Sequence, residues 1–439
     1  MFVTRVIYRR EPPAGWSSCS LRSGEADTIS EVKCRHCGAD VSHVLVDLGV
    51  APPSNAYLTK LLLKRPEKYF PLRVLVCESC WLVQAEAYSR AAELFNEEYA
   101  YFSSFSSEWL AHAKKFVHEM VERFGLTKSS VVGEVAANDG YLLRFVNERG
   151  ISCYGIEPTA STANAARQKG IEIVQDFLSL KLASELREQG RIVDLLVANN
   201  VLAHVPDIND FSEACRLLLK PGGVFTCEFP HLLNLISLHQ FDTIYHEHFS
   251  YLSFGTVVNI FAKNGLNVFD VEKLGTHGGS LRVYAQRSDT GKHTVDARVE
   301  KLVSEEHKAG MTSIAFYRGF QEHAEKVKND FLKFLIEKKE DGKLVVGYGA
   351  AAKGNTLLNF AGVKSDLVKY VVDRSPYKQN KFMPGSRIPI VNEDKLKSDS
   401  PNFVVIFPWN LSDEIADHLK YLSSNGTEFV TAVPQLEIF

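Results

Sequence analysis

Four of the eight cysteines fall into two close pairs, and closely paired cysteines commonly bind metal. Two residues separate the cysteines within each pair, in the sequences CRHC and CESC. Two such turns facing each other supply the tetrahedral thiolate shell that zinc prefers, with no coordination position left open. The predicted structural zinc ligands are Cys34, Cys37, Cys77 and Cys80. A redox disulfide or buried free thiols are the alternatives, and we expect neither His36 nor His43 to replace a cysteine.

A second group of reactive side chains lies in residues 241–251, which read FDTIYHEHFSY. His246 and His248 are two residues apart and cannot share one face of a helix, which excludes a helical metalloprotease site. If the segment is extended, Tyr245 and Glu247 point to one side and both histidines to the other. Such a cluster can transfer protons. A polar loop without chemistry is the alternative interpretation.

The elements that must position these residues follow an α/β pattern. Apolar strands alternate with amphipathic helices over residues 105–290, which predicts a mostly parallel sheet with helices on its faces. The first strand leads into the turn EVAANDG, residues 134–140, and then into a helix. Sheets of this kind bind ligands at the carboxyl ends of their strands, where this turn lies. The turn is not the GxGxxG motif that cradles a pyrophosphate, which a cofactor without phosphates does not need.

Acidic and polar side chains follow the next strands at the same predicted edge. Glu157 ends the second strand and can accept hydrogen bonds from ribose hydroxyls. Asp176 and Phe177 follow the third strand, where a polar side chain beside an aromatic ring suits an adenine. Alternatively, Glu134 and Glu157 only cap loops. The predicted cofactor-binding residues are Glu134, Ala136, Asn138, Gly140, Glu157, Asp176, Phe177, Asn199 and Asn200.

The α/β pattern restarts at Lys343, after a Lys- and Glu-rich region, residues 294–340, that predicts a helical connector. The motif GYGAAAKG, residues 347–354, predicts a tight turn and a helix that begins near Asn355. Amides at this helix start, together with Lys353, could hold an anion such as a diphosphate. The following loop adds the cationic side chains Lys378, Lys381 and Arg387.

Two alternatives to this anion site are a purely structural turn and a nicotinamide site, which Asp373 alone supports. Upstream, the sequence THGGSLR contains two adjacent glycines that let a ligand approach the backbone, and its Arg282 could equally pair with a surface acid. The predicted substrate-binding residues are His277, Gly278, Arg282, Gly349, Lys353, Asn355, Asp373 and Lys381.

In combination, these motifs carry a family resemblance. The sequences EVAANDG, GIEP, ANNVLAHV and LKPGG resemble the successive motifs of class I S-adenosylmethionine methyltransferases, although Ala136, Ala137 and Asn138 stand where that class is usually richer in glycine. Together with the cysteine pairs, YHEHFSYLS and GYGAAAKG, the chain resembles the sugar C-methyltransferases of deoxysugar biosynthesis from about residue 31 to its end. Those enzymes methylate carbon 3 of a thymidine-diphosphate (dTDP) 4-keto sugar. The resemblance implies S-adenosylmethionine as cofactor, beside the structural zinc.

The resemblance also implies roles for individual side chains. A carbon beside a ketone becomes a nucleophile only after it loses a proton to a base, and the resulting oxyanion needs a donor. The family pattern places the base at His248, with Tyr245 and Glu247 lining the sugar site. Tyr99 and His204 would come from other segments, and Tyr101 is an alternative to Tyr99.

Length and composition agree with a multidomain globular protein. The chain has 439 residues, 45% of them hydrophobic and 23% charged, and a net charge of −3. We expect no nucleic-acid binding, no membrane span, a reducing cytoplasmic location and a monomer or homodimer. The expected organisation is a flexible extension, a zinc-binding lobe, a Rossmann-like methyltransferase domain, a helical connector and a smaller Rossmann-like domain that binds the nucleotide sugar. The corresponding ranges are residues 1–30, 31–104, 105–290, 291–340 and 341–439.

Four rival interpretations remain open from the sequence. The same scaffold could methylate oxygen or nitrogen on another nucleotide sugar or small metabolite. Two Rossmann-like domains could also form an oxidoreductase, and a zinc-stabilised lobe could be part of a non-enzymatic binding module. In the fourth interpretation, a second zinc site uses His204, His246 and His248, although no matching carboxylate or thiolate spacing supports it.

Overall fold

Three β-sheets organise the part of the chain that the computed structural model describes, which is residues 32–88 and 102–439. The predicted extension 1–30 and the tyrosines Tyr99 and Tyr101 lie outside the described residues. Within those residues, no helix is both long and apolar enough to cross a membrane.

The N-terminal sheet is antiparallel and holds both cysteine pairs at its margin. The first pair precedes strand β1, and the second lies in the turn between β2 and β3. Its strands, in spatial order, are β1 (His43–Ala51), β2 (Phe70–Val76), β3 (Val83–Ala85) and β9 (Ser250–Tyr251). Strand β9 belongs to the YHEHFSY segment, so the zinc-binding lobe and the histidine cluster share one sheet.

The central sheet has seven strands in the order β10-β11-β8-β7-β4-β5-β6. Strands β4 to β8 are parallel, and β10 and β11 close one edge in antiparallel fashion. Chain order runs outward on both sides of the β4–β7 pair, which makes that pair the topological switch point where such sheets bind ligands. The strands are β4 (Val131–Val135), β5 (Ser152–Ile156), β6 (Glu172–Val174), β7 (Val193–Asn199), β8 (Leu219–Pro230), β10 (Leu266–Leu274) and β11 (Ser280–Arg287).

Amphipathic helices cover this sheet. Helix α1 begins after Ser106, whose side chain caps the backbone N–H of Trp109, and it ends at Gly125, where φ is 60°. The helices are α1 (Ser107–Phe124), α2 (Leu143–Asn147), α3 (Ala160–Gln168), α4 (Leu180–Glu188), α5 (Ile208–Leu218), α6 (Leu232–Ser237) and α7 (Phe254–Lys263). The predicted parallel sheet with helices is therefore present.

The Lys- and Glu-rich region is helical, as expected from its spacing. It forms α8 (Ala297–Ala309), α9 (Ile314–Tyr317) and α10 (Phe320–Glu340), separated at Gly310 and Gly319, both of which adopt positive φ. Helix α10 buries one apolar stripe at helical spacing. The stripe consists of Phe320, Ala324, Val327, Phe331, Phe334 and Leu335.

The C-terminal sheet is the second, smaller Rossmann-like unit. Its order is β14-β13-β12-β15-β16-β17, parallel except for β17. The strands are β12 (Val345–Tyr348), β13 (Val371–Val372), β14 (Ile390–Val391), β15 (Phe403–Ile406), β16 (Glu428–Thr431) and β17 (Glu437–Ile438). The helices are α11 (Ala352–Phe360), α12 (Asp394–Asp399), α13 (Ser412–His418) and α14 (Lys420–Ser423).

Two local predictions need correction. Helix α11 begins at Ala352, three residues before Asn355, because the small residues of the motif already adopt helical geometry. The YHEH segment is not extended, because the backbone N–H of His248 donates to Tyr245 O at 2.9 Å and so closes a turn.

One hydrophobic core joins distant parts of the chain. Buried side chains from the N-terminal sheet, helix α10 and the C-terminal sheet belong to a single cluster, which also contains Phe241 and Ile244. Both of these side chains are fully buried. The segment that carries the histidines is therefore packed against the C-terminal sheet as well as the zinc-binding lobe.

Candidate active site and zinc centre

The four predicted metal ligands converge. Their sulfur atoms all lie within 4.8 Å of one another, with Cys34 Sγ 3.4 Å from Cys80 Sγ and Cys37 Sγ 3.6 Å from Cys77 Sγ. A tetrahedral site with Zn–S bonds of about 2.3 Å separates its sulfurs by about 3.8 Å, so the four thiols fit zinc. These separations also exceed the roughly 2.05 Å of a disulfide bond. His36 does not belong to this group of ligands, and its Nδ1 pairs with Asn209 Oδ1 at 2.8 Å.

The turn after β4 adopts left-handed backbone conformations at three positions. The φ angles are 52° at Ala136, 50° at Asn138 and 75° at Gly140. Ala136 and Asn138, two of the three residues that replace the usual glycines, therefore keep the geometry that glycine adopts without strain. At Gly140, a Cβ atom would also lie 3.1 Å from Ile171 Cγ1, so a side chain there would require Ile171 to shift slightly.

Glu157 follows β5 directly and holds this turn. Its carboxylate accepts hydrogen bonds from Asn138 N at 2.9 Å, Thr159 N at 2.9 Å and Thr162 Oγ1 at 3.0 Å. Burial raises the pKa of Glu157, and the hydrogen bonds to Thr159, Thr162 and Asn138 oppose that rise. A carboxylate offers about four acceptor positions, so one remains for a hydroxyl of a ligand.

Three buried acceptor atoms at the same sheet edge have no hydrogen-bond partner among the described residues. They are Glu134 Oε2, Asp139 Oδ1 and Asn199 Oδ1, at the ends of β4 and β7. Burial raises the pKa of Glu134 well above its usual value. Unsatisfied buried acceptors call for a ligand that brings donors. An ammonium group and ribose hydroxyls are such donors, so the site fits S-adenosylmethionine.

The remaining predicted cofactor residues lie along the same edge. Asn200 adopts a φ of 56°, and its N–H donates to Glu228 O at 2.7 Å. Asp176 and Phe177 are exposed beyond β6, where Asp176 Oδ1 accepts from Phe177 N at 2.7 Å. Glu157 N donates to Val174 O, which brings the end of β6 next to the Glu157 position. Their contacts with a cofactor remain a prediction.

Replacing Glu157 with alanine should weaken cofactor binding while sparing the sugar nucleotide. The change removes a charge-assisted hydrogen bond, worth roughly 1.5–3 kcal/mol, and frees the turn that Asn138 N anchors. Isothermal calorimetry should therefore show S-adenosylhomocysteine binding about tenfold or more weakly. Glu148→Ala, an exposed substitution beyond α2, is the matched control. Unchanged affinity for Glu157→Ala would mean that the ribose does not bind here.

The histidine cluster brings His248, Tyr245 and His204 into ring contact. His248 is buried. Its ring centroid lies 4.0 Å from that of Tyr245 and 4.6 Å from that of His204. His248 Nδ1 lies 2.9 Å from Thr243 O. A carbonyl only accepts, so Nδ1 carries the proton in this tautomer and the lone pair lies on Nε2. A base role needs such a tautomer, and that role stays a prediction.

His204 is held in a similar way from the end of β7. Its Nδ1 donates to Glu247 O at 2.7 Å. Burial lowers the pKa of His204 to about 4, against the opposing effect of that hydrogen bond, so the ring is neutral near pH 7. A neutral neighbour adds no positive charge that would disfavour proton uptake by His248.

The other two members of the cluster turn towards the zinc-binding lobe. His246 Nε2 lies 3.3 Å from Phe70 O and 3.2 Å from Pro71 O, both on β2. Glu247 Oε1 accepts from the backbone and side-chain nitrogens of Asn55, each at 3.2 Å. Burial raises the pKa of Glu247, and its Oε2 has no partner among the described residues. The expected alternation of side chains along this segment is therefore wrong, since Tyr245 and His248 meet while His246 points elsewhere.

The described residues contain one group of three or more potential metal ligands, the four cysteines. His246 faces β2 instead of His204 and His248. The alternative of a second zinc site on these three histidines therefore has no support from the geometry.

Two predicted substrate residues contact protein groups. Arg282 is buried; its Nε donates to buried Glu228 Oε1 at 2.7 Å, and its Nη1 donates to Oε2 of the more exposed Glu119 at 3.1 Å. Gly278 has a φ of 82°, and a Cβ there would lie 2.5 Å from Trp409 Cη2. His277 lies in the same short turn, and its side chain is outside the described residues.

The GYGAAAKG turn packs tightly within the C-terminal sheet. A Cβ on Gly347 or Gly354 would lie 2.5 or 2.7 Å from Phe407, and one on Gly349 would lie 2.5 Å from Pro408. These glycines are therefore needed for packing, whatever the turn binds.

Side chains around this turn are tied to the protein. Asp373 Oδ2 accepts from Ala350 N at 2.8 Å, and the Nδ2 of buried Asn355 donates to Ser54 O at 2.5 Å. Lys353 Nζ donates to Asn410 Oδ1 at 2.7 Å. Burial lowers the pKa of Lys353 to about 8, although Asp242 nearby opposes the drop.

The cationic side chains that the following loop adds differ in their surroundings. Lys378 Nζ donates to Ala350 O at 2.8 Å, and exposed Arg387 pairs with Glu67 of the zinc-binding lobe at 3.4 Å. Lys381 is half-buried in the same loop. Lys353 and Lys378 thus bring positive charge to the turn, while Arg387 is engaged elsewhere.

Sequence-based reasoning did not identify several residues that position this site. Asn55 holds Glu247, Thr243 supplies the carbonyl to His248, and Ser103 N donates to Asn138 Oδ1 at 2.9 Å. Partners such as Asn55 and Glu247 lie 192 residues apart, and Asn55 belongs to no motif of its own. No local signal in the sequence could have revealed them.

Comparison with known proteins identifies the class of this chain. Three family models match the chain in sequence order. A "Putative zinc binding domain" matches residues 34–95, a "Methyltransferase domain" matches residues 109–271, and a "C-methyltransferase C-terminal domain" matches residues 275–434. The fold and the cofactor edge thus define an S-adenosylmethionine-dependent methyltransferase with a zinc-binding lobe.

A full-length relative specifies the family. C-methyltransferase NovU of Streptomyces niveus is 33% identical over 92% of this chain and 96% of its own length. The ubiquinone biosynthesis O-methyltransferase of Histophilus somni is 30% identical over 23% of this chain and 44% of its own. A solved S-adenosylmethionine dependent methyltransferase from Mesorhizobium loti is 16% identical over 40% of this chain and 100% of its own, with a TM-score of 0.33. The chain belongs to the C-methyltransferase family that includes NovU.

Proposed function

We propose that this C-methyltransferase transfers a methyl group to carbon 3 of a dTDP-4-keto-deoxysugar through an enolate. The observation that carries the proposal is the arrangement of His248, whose Nδ1 donates to Thr243 O and leaves the lone pair on Nε2. A base held in one tautomer suits a reaction whose first step removes a proton from carbon.

The proposed reaction has two steps, proton removal from carbon 3 and methyl transfer to it. His248 Nε2 takes the proton of carbon 3, and the electrons of the broken C–H bond move to the 4-keto oxygen as an enolate. Carbon 3 of the enolate then takes up the methyl group that S-adenosylmethionine would supply: the new C–C bond forms as the C4 carbonyl is restored, the S–CH3 bond breaks with its electrons left on sulfur, and S-adenosylhomocysteine is the leaving group. His248 then returns its proton to solvent. Tyr245, in ring contact with the base, is the candidate donor to the enolate oxygen.

The polar surroundings of Glu247 support a sugar as the reacting group. Its Oε2 is a buried acceptor with no partner among the described residues, which suits a sugar hydroxyl. Glu247 directly precedes His248 in the chain, and both side chains are buried. We therefore assign Glu247 to sugar positioning and His248 to proton transfer, with His204 packed behind the base.

A nucleotide sugar also accounts for the positive charge at the GYGAAAKG turn. Lys353 lies near the histidine segment, because the charge of Asp242 acts to raise the pKa of Lys353. Its Nζ also lies 4.1 Å from the centroid of the Trp409 ring, and Trp409 Nε1 donates to Asp242 Oδ2. A diphosphate bound near Lys353, Lys378 and Lys381 would leave the sugar near the base. Gly349 would allow its close approach, and the role of Asp373 would be to hold the turn.

Nuclear magnetic resonance of the sugar in deuterium oxide tests this proposal. Wild-type protein with a dTDP-4-keto-6-deoxysugar should exchange the carbon-3 proton for deuterium without any methyl donor. Adding S-adenosylmethionine should then give a carbon-bound methyl signal. A methoxy or N-methyl signal without prior exchange would instead indicate methylation of oxygen or nitrogen.

A further inference from the structure

The C-terminal sheet meets the segment that orients the base. Phe241, Asp242 and Ile244 surround Thr243, whose carbonyl accepts from His248 Nδ1. Each of these three neighbours contacts a side chain of the C-terminal unit. The C-terminal unit therefore contacts both chain neighbours of Thr243, whose carbonyl sets the tautomer of His248.

Three separate contacts make the connection. Thr356 Oγ1 donates to Ile244 O at 2.8 Å, and both residues are buried. Trp409 Nε1 donates to Asp242 Oδ2 at 2.8 Å. The rings of Phe241 and Phe360 meet edge to face at 5.7 Å.

Two of these contacts come from helix α11, which the GYGAAAKG motif begins. The helix also carries Asn355, whose Nδ2 donates to Ser54 O in the zinc-binding lobe. The same lobe holds Glu247 through Asn55, the residue after Ser54. Helix α11 thus forms hydrogen bonds to two segments: the one before His248, through Ile244, and the loop of the zinc-binding lobe in which Asn55 bonds Glu247.

We propose that Thr356 is a positioning residue for the base: its hydroxyl fixes the Ile244 peptide, and with it the adjacent Thr243 carbonyl that orients His248. This inference rests on the proposed function, in which His248 removes the carbon-3 proton. The glycine-rich motif then has a second task besides any anion that it binds, because it begins the helix that supports the base. The Ile244 and Thr243 carbonyls belong to consecutive residues, so a shift of one peptide moves the other.

Thr356→Val tests the idea, because it removes the hydroxyl and keeps the side-chain shape. Thr356→Ser keeps the hydroxyl and should restore function. The matched control is Thr427→Val, since buried Thr427 also donates its hydroxyl to a backbone carbonyl, Pro401 O at 2.6 Å, within the C-terminal unit. Both valine variants should lose similar thermal stability.

Carbon-3 exchange in deuterium oxide, without methyl donor, should slow roughly 10- to 100-fold in Thr356→Val, the usual effect of a small displacement of a reacting group. The KM for S-adenosylmethionine should stay within about twofold, because the cofactor edge is untouched. Thr427→Val should exchange at the wild-type rate. Equal exchange in Thr356→Val and wild type, or equal slowing in Thr427→Val, would overturn the proposal.

A second readout does not depend on the substrate. The Nδ1–H signal of His248, assigned by its loss in His248→Asn, should exchange with water faster in Thr356→Val than in wild type and Thr427→Val. An unchanged signal contradicts the positioning role. If the wild type fails to exchange the sugar proton, the proposed function fails, and this signal alone still decides the role of Thr356.

Discussion

Replacing Cys77 and Cys80 together with serine should abolish zinc binding and most of the methyl-transfer activity. The four sulfurs lie within 4.8 Å of one another, which suits about one tightly held ion per chain. A structural zinc contributes roughly 10–16 kcal/mol of binding free energy at pH 7, so the lobe should lose its fold without it. Elemental analysis and thermal unfolding would measure both effects.

The loss of activity follows from the shared sheet. Strand β9 pairs with β3 and begins two residues after His248. Unfolding the lobe therefore releases the histidine segment, while the central sheet keeps its own strands. S-adenosylhomocysteine should still bind within about threefold of wild type. Cys153→Ser, a cysteine outside the cluster, is the control and should retain zinc and activity. Metal-free protein with full stability and turnover would contradict a structural role.

The features predictable from the sequence were local ones. Cysteine spacing identified the four zinc ligands, because each CxxC turn brings its own pair together. Apolar runs predicted the strand that precedes Glu157 and the strand that ends at Asn199. They also predicted that the carboxyl ends of these strands lie at the same edge of the sheet. Such patterns depend only on residues that are close in the sequence, because the spacing of apolar residues follows the repeat of the helix or strand that they form.

The geometry of the histidine segment was not predictable in this way. Alternation assumes an extended backbone, but Phe241–Thr243 forms a short helical turn and a second turn follows it. Both turns depend on the burial of Phe241 and Ile244 in the core shared with the C-terminal sheet. Tertiary packing therefore decides which side chains meet, and periodicity carries no information about it.

Arg282 illustrates the same limit for charged residues. Its type and position allowed either a ligand or an ion pair. The structure pairs it with Glu228, which β8 places opposite it, and Glu228 also lies 2.9 Å from His112 Nε2. Burial alone would raise the pKa of Glu228, but His112 and Arg282 hold it below its usual value. The register of β8 and β11 determines this pairing, and register is set by the whole sheet.

Replacing His248 with asparagine should lower turnover roughly 10²- to 10⁴-fold, the usual contribution of a positioned general base. The asparagine Nδ2 occupies nearly the same position as His248 Nδ1 and can still donate to Thr243 O, so the segment should keep its shape. The Nε2 lone pair is lost, and with it the carbon-3 exchange that needs no methyl donor. Affinities for the sugar nucleotide and S-adenosylhomocysteine should stay close to those of the wild type.

Glu247→Gln separates proton transfer from sugar positioning. The glutamine keeps an oxygen for Asn55 but loses the charge, so its effect should appear partly as weaker substrate binding, with exchange retained once the sugar is saturating. Nuclear magnetic resonance of the 4-keto sugar in deuterium oxide compares both variants directly. If His248→Asn exchanges the carbon-3 proton at the wild-type rate, His248 is not the base, and the base must be sought among His204, Glu247 and Tyr99.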